Sequence, residues 1–151
     1  MATKKARILV QRYRDGMQQP VPESFEIEID DENTVLDALN HIKDTLDSTL
    51  TFRWSCRMGL CGSCSANVNG KPVLMCATPL HALPDEITIT PLAAFPIVKD
   101  LVVDIDDAFE KMRSVRPYID RMNAHLDKEN LQTQAQRKRI EGASQCIKCM
   151  I

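Results

Sequence analysis

Trp54-Ser55-Cys56-Arg57-Met58-Gly59-Leu60-Cys61-Gly62-Ser63-Cys64 decides how the rest of the chain is read. No alternating or helical spacing of apolar residues runs through it, and Gly59 and Gly62 interrupt it, so it is a loop. Three thiols in one irregular stretch can face a common centre only if the backbone turns tightly and approaches closely. Glycines, lacking a Cβ, allow both. A fourth cysteine, Cys76, completes the spacing C-x4-C-x2-C-x11-C.

The C-x4-C-x2-C…C spacing is that of plant-type [2Fe–2S] ligation by Cys56, Cys61, Cys64 and Cys76. Backbone N–H groups of such a loop can point at sulfur, and those hydrogen bonds raise the reduction potential of a bound cluster. Arg53 and Arg57 flank the loop and act in the same direction. Met58 and Leu60 are expected to lay apolar surface over the site, and Trp54 to pack against a neighbouring hairpin. Structural zinc is the competing reading, but zinc sites usually pair two short knuckles, whereas here three cysteines share one loop. Disulfides fit less well, because the chain shows no export signal and is long enough to need no staples.

Cys146-Ile147-Lys148-Cys149 forms a second, shorter group. Alone it fits half a zinc knuckle, a redox pair, or the opening of the C-x2-C-x2-C-x3-C-P cubane motif. The next cysteine of that motif falls just beyond Ile151. A Rieske centre needs two histidines in place of two cysteines, and four cysteines are already present. His41, His81 and His125 are therefore read as solvated.

Outward from the loop, the pattern becomes regular. Residues Arg7 to Arg14 mix apolar and charged side chains as a strand, and Ser24 to Asp30 alternate cleanly. Asp15-Gly16, Pro20 and Pro22 between them suggest a hairpin. Val35, Leu39, Ile42 and Leu46 then recur at helical spacing behind a capping box of Thr34 and Asp37. After the cysteine loop, Ala66 and Val68 lead through Asn69-Gly70 into Lys71 to Met75, a second hairpin with Cys76 at its end. Ile87 and Ile89 mark one more strand. This order gives a small α+β domain over residues 1–95.

Pro91 and Pro96 bracket a connector, beyond which the pattern reads as helical. Ile105, Phe109 and Met112 share one face, Tyr118, Met122 and Leu126 another, and Thr133 with Gln136 caps a third helix. The basic run Arg137-Lys138-Arg139 reads as a wet helix face. Residues 96–151 hold too few apolar side chains to close a core of their own.

Composition narrows the classes further. The 151 residues are 44% apolar and 26% charged, which excludes wholesale disorder. A net charge of −2 gives no basic footprint for nucleic acid. No apolar run approaches the roughly 18 residues of a membrane helix, and no apolar stretch follows Met1-Ala2-Thr3-Lys4-Lys5 as in a signal peptide.

The string Arg53 to Cys64 closely resembles the [2Fe–2S] loop of the iron–sulfur subunits of fumarate reductases and succinate dehydrogenases. So do Val68-Asn69-Gly70-Lys71-Pro72 up to Cys76, Phe95 to Asp104, and Cys146-Ile147-Lys148-Cys149. The resemblance implies an N-terminal ferredoxin-like β-grasp domain over 1–95 and the start of an α-helical ferredoxin domain over 96–151. It implies [2Fe–2S] ligation by Cys56, Cys61, Cys64 and Cys76, and makes Cys146 and Cys149 the first two ligands of a [4Fe–4S] cluster. The remaining [4Fe–4S] ligands and all those of a [3Fe–4S] cluster are expected in chain beyond Ile151. The implied partners are an FAD-containing flavoprotein subunit that interconverts succinate and fumarate, and membrane anchor subunits with quinone. The implied location is peripheral, on the cytoplasmic face of the inner or plasma membrane.

The residues themselves leave other carriers open: a stand-alone [2Fe–2S] ferredoxin, or the iron–sulfur part of a molybdenum hydroxylase. A zinc-stabilised interaction module is the alternative from another class.

Overall fold

A computed structural model describes residues 3–30, 32–116, 118, 129 and 131–151. Two compact units divide the chain, the first spanning 1–104 with 148–151 and the second 105–147.

The first unit is built on a five-stranded mixed sheet. Strands β1 (Thr3–Arg12) and β2 (Val21–Asp30) form an antiparallel hairpin that places Ile8 opposite Phe25 and Ala6 opposite Ile27. Ala6, Ile8, Val10, Phe25 and Ile27 are buried, so one face of this hairpin is core and the other is wet. Helix α1 (Val35–Thr45) follows and buries Val35, Leu36, Ala38, Leu39 and Ile42 in the same core. Its start is the expected capping box: the Asp37 N–H donates to Thr34 Oγ1 at 3.3 Å, and the Thr34 N–H to Asp37 Oδ2 at 3.0 Å.

Strands β3 (Ser65–Val68) and β4 (Lys71–Leu74) form the second hairpin. Asn69 and Gly70 turn it with φ of +50° and +77°, the left-handed pair of a type I′ turn. Strand β5 (Glu86–Thr90) joins the hairpins, running parallel to β1 and antiparallel to β3, and gives the order β2-β1-β5-β3-β4. Ile87 and Ile89 point into the core beside Ile8 and Val10.

Several expectations need correction. The first strand ends at Arg12 and begins at Thr3, not Arg7. Cys76 is not at the end of a strand: β4 stops at Leu74, and Met75–Ala77 coil into a 3-10 turn held by the Met75 N–H on the Cys64 carbonyl at 3.0 Å. Residues beyond Pro96 are not yet helical. β6 (Ile97–Lys99) and β7 (Val102–Val103) make a small hairpin, because β-branched Ile and Val favour extended backbone and Asp100 takes a left-handed φ of +46° at its tip.

In the second unit, α2 (Asp106–Ser114) and α3 (Gln134–Ser144) bury no residue fully. Ile105, Phe109 and Met112 are half-buried, and Tyr118 is exposed. Met122, Leu126 and His125 lie outside the described residues. Thr133 and Gln136 form the expected capping box of α3, and Arg137, Lys138 and Arg139 are exposed on it. Among the described residues, no helix is long and apolar enough to cross a membrane.

Candidate metal centre

The cysteine loop hangs between α1 and β3 without helix or strand of its own. Three of its residues, Arg57, Gly59 and Gly62, take left-handed φ of +57°, +70° and +72°. Each such residue re-aims the next peptide, and successive N–H groups then converge on one side of the chain as a nest for negative charge.

The sulfurs occupy that side. Cys56 Sγ accepts from the N–H groups of Met58, Leu60 and Cys61, each at 3.4 Å. Cys61 Sγ accepts from the Cys56 N–H at 3.5 Å, and Cys76 Sγ from the Gly59 N–H at 3.3 Å. Cys64 Sγ accepts from the Cys76 N–H at 3.5 Å. All four sulfurs thus receive a backbone N–H, the contact that stabilises thiolate over thiol.

The contacts sort the sulfurs into two pairs. Cys56 and Cys61 exchange N–H groups across the outer loop, and Cys64 joins Cys76 at the hairpin. The outer pair is half-buried (Cys56) and exposed (Cys61), whereas Cys64 and Cys76 are buried. Their acidities follow. The Cys56 N–H, joined by that of Ser63, brings the Cys61 thiol down to about 6, while burial pushes Cys64 up to about 11. All six cysteines are free of disulfides.

A single zinc ion gathers its ligands around one point. Two pairs of thiols suit a group with two metal atoms, each taking two sulfurs; the all-cysteine donor set is one that zinc and iron–sulfur clusters share, and the pairing favours the cluster.

The surroundings depart from expectation in three places. Trp54 is 43% exposed, and the Arg57 guanidinium stacks 4.3 Å above its ring. Met58 and Leu60 are 68% and 64% exposed, so most of each faces water rather than the sulfurs. His81 is exposed as expected, but His41 is half-buried on α1. Cys146 is exposed just past α3, and Cys149 is half-buried in irregular chain where Lys148 and Met150 take left-handed φ.

One group was missed by sequence reading. Arg12, only 3% exposed, donates to Asp100 Oδ1 at 3.0 Å and to Glu23 Oε2 at 2.7 Å, and also bonds Asp47 and Thr49. The only sequence signal is periodic: Arg12 continues the inward series Ala6, Ile8, Val10.

A mixed sheet carrying a glycine-bent cysteine loop, with thiols paired two by two, defines an iron–sulfur domain of ferredoxin type. The chain belongs to the family of 2Fe-2S iron-sulfur cluster binding domains, whose model matches residues 7–110. It is 44% identical over 146 residues to a fumarate reductase iron-sulfur subunit of Mycobacterium tuberculosis, covering 94% of this chain and 59% of that one. A fumarate reductase iron-sulfur subunit of Haemophilus influenzae is 40% identical over 153 residues, covering 93% and 60%. Among solved structures, a chain of the Mycobacterium smegmatis Sdh1 complex in the apo form superimposes with a TM-score of 0.88 at 32% identity, over 99% of this chain and 62% of that one. The chain therefore spans about three fifths of the length of these relatives.

Proposed function

We propose that this chain is the electron-transfer part of an iron–sulfur subunit, relaying single electrons between an FAD-containing subunit that interconverts succinate and fumarate and a membrane quinone. The observation that carries the reading is the backbone N–H on every sulfur of a Cys₄ set arranged as two pairs. A [2Fe–2S] cluster supplies one-electron chemistry when bound.

The chain's own residues do the rest. Cys56 and Cys61 form the outer ligand pair, and Cys64 and Cys76 the inner one. The N–H groups of Met58, Gly59, Leu60 and Cys61 offset added negative charge, as does the positive charge of Arg57, next to Cys56 in the chain and stacked on Trp54, and so favour the reduced state. Burial of Cys64 and Cys76 excludes water from one side, while the exposed apolar side chains of Met58 and Leu60 offer the other side to a redox partner. The partners are the flavoprotein and the membrane anchor subunits, and the position is peripheral on the cytoplasmic face of the membrane. Cys146 and Cys149 are proposed as two ligands of a [4Fe–4S] cluster, which, like a [3Fe–4S] cluster, is expected only if the chain continues beyond Ile151. The division into a cluster domain over 1–95 and a connector with helical region over 96–151 belongs to the same proposal.

The test is iron and sulfide analysis with EPR before and after dithionite. After anaerobic reconstitution we expect about two irons and two sulfides per chain, and a signal only on reduction. Cys61→Ala abolishes that signal, and His81→Ala retains it. A colourless chain holding zinc and no acid-labile sulfide overturns the proposal.

A further inference from the structure

Asp100 is fully buried at the tip between β6 and β7, with its backbone in the left-handed region. A buried carboxylate is tolerated only when its oxygens are engaged. Here Oδ1 accepts from Arg12 Nε at 3.0 Å and from the Tyr13 N–H at 3.1 Å, and Oδ2 accepts from the Thr51 N–H at 2.9 Å. Backbone bonds repeat the tie: the Asp100 N–H donates to the Tyr13 carbonyl at 2.9 Å, and the Leu101 N–H to the Thr51 carbonyl at 3.2 Å.

Thr51 is where the irregular chain leading to Cys56 begins. Just before it, Asp47 and Thr49 are held by Arg12, the same guanidinium that holds Asp100. At the far end of the loop, Cys64 and Cys76 are held differently, through the Met75 N–H on the Cys64 carbonyl and through the β3–β4 hairpin. The two thiol pairs are therefore anchored from opposite ends of the loop and meet through the Gly59 N–H on Cys76 Sγ. The inner pair stands on the hairpin, and the outer pair on the stretch that leaves Thr51.

We propose that Asp100 is a positioning residue for the cysteine loop, setting where the outer pair, Cys56 and Cys61, stands relative to Cys64 and Cys76. The proposal rests on the reading of these four residues as cluster ligands. A carboxylate suits the task where an apolar plug does not. Its two oxygens fix direction as well as distance, one towards β1 and one towards the loop's first peptide. Removing it takes that acceptor from Arg12 Nε and from the Tyr13 and Thr51 N–H groups and frees the start of the loop, while the hairpin end stays in place.

The test uses the full chain carrying Asp100→Ala or Asp100→Asn, with Lys99→Ala, an exposed neighbour, as control. Asn tolerates the left-handed backbone and keeps one acceptor oxygen, so it disturbs the fold less than Ala does. Amide hydrogen exchange is measured first on the cluster-free proteins. Exchange across 52–61 is expected to quicken on the order of tenfold in Asp100→Asn and more in Asp100→Ala, with the β3–β4 amides unchanged. After reconstitution, the reduced EPR line shape, the visible circular dichroism and the midpoint potential are expected to shift in both Asp100 variants and not in Lys99→Ala. Asp100→Asn with wild-type exchange and wild-type spectra overturns the proposal. So does exchange that rises equally throughout the domain, which marks a role in stability alone. If wild type itself takes up no iron, the ligand reading fails, and the exchange result still decides whether Asp100 positions the loop.

Discussion

Gly59 and Arg57 hold the same left-handed backbone on either side of Met58, at different cost. For an L side chain this region costs roughly 1–2 kcal/mol. A Cβ added at Gly59 meets only the Ala77 Cβ, at 3.8 Å, which is ordinary contact. Gly59→Ala is therefore expected to lose about 1–2 kcal/mol through conformation alone, read by denaturant unfolding of the cluster-free chain. Gly59→Asn is expected to lose less, because Asn visits this region more readily. Arg57 has no such freedom, and its stacking on Trp54 offsets the strain by about 0.5–1 kcal/mol. The glycines of this loop were legible in the sequence because their residue type announces the backbone they adopt. Arg57 and Asp100 were not, because nothing in an arginine or an aspartate signals a positive φ that only surrounding contacts impose.

At the level of elements, the first helix is held at its start by two reciprocal bonds between Thr34 and Asp37. Thr34→Val keeps the shape and removes the acceptor for the Asp37 N–H. It is expected to cost about 1 kcal/mol, measured as a lowered melting temperature. Elements with an internal signal were readable: the alternation of β2, the Asn69-Gly70 turn, the capping boxes of α1 and α3. The β6–β7 hairpin was not, because strands of three and two residues have no period to detect. Cys76 was misplaced for a related reason. The Met75 N–H finds the Cys64 carbonyl instead of continuing the strand, and a contact eleven residues away is invisible to local pattern. For the site, the four candidate ligands were legible because spacing is a sequence property, whereas the pairing and the N–H contacts depend on how the loop folds.

For the molecule as a whole, the network around Arg12 couples stability to acidity. Hydrogen bonds from Arg12 and Thr49 hold the Asp47 carboxyl well below its ordinary range. A group depressed in the folded state stabilises above its unfolded value, near pH 4, and loses that contribution as pH falls. The stability gap between wild type and Asp47→Asn is therefore expected to be full near neutrality and to shrink below about pH 4, as followed by thermal melts across pH. A gap that stays constant through this range contradicts the coupling. The same network explains why an arginine continues the inward series of β1: three carboxylates meet Arg12 there.

The position of β5 adds a consequence in time. It is the seam between two hairpins, pairing with β1 on one side and β3 on the other, yet it is the last strand of its sheet to be made. At about 5–20 residues per second, Cys56, Cys61 and Cys64 precede it out of the ribosome by a few seconds. During that interval the thiols exist without the frame that orients them, open to oxidants and to stray metals. The pairing of Cys56 with Cys61 and of Cys64 with Cys76 is thus a property of the finished domain rather than of the growing chain.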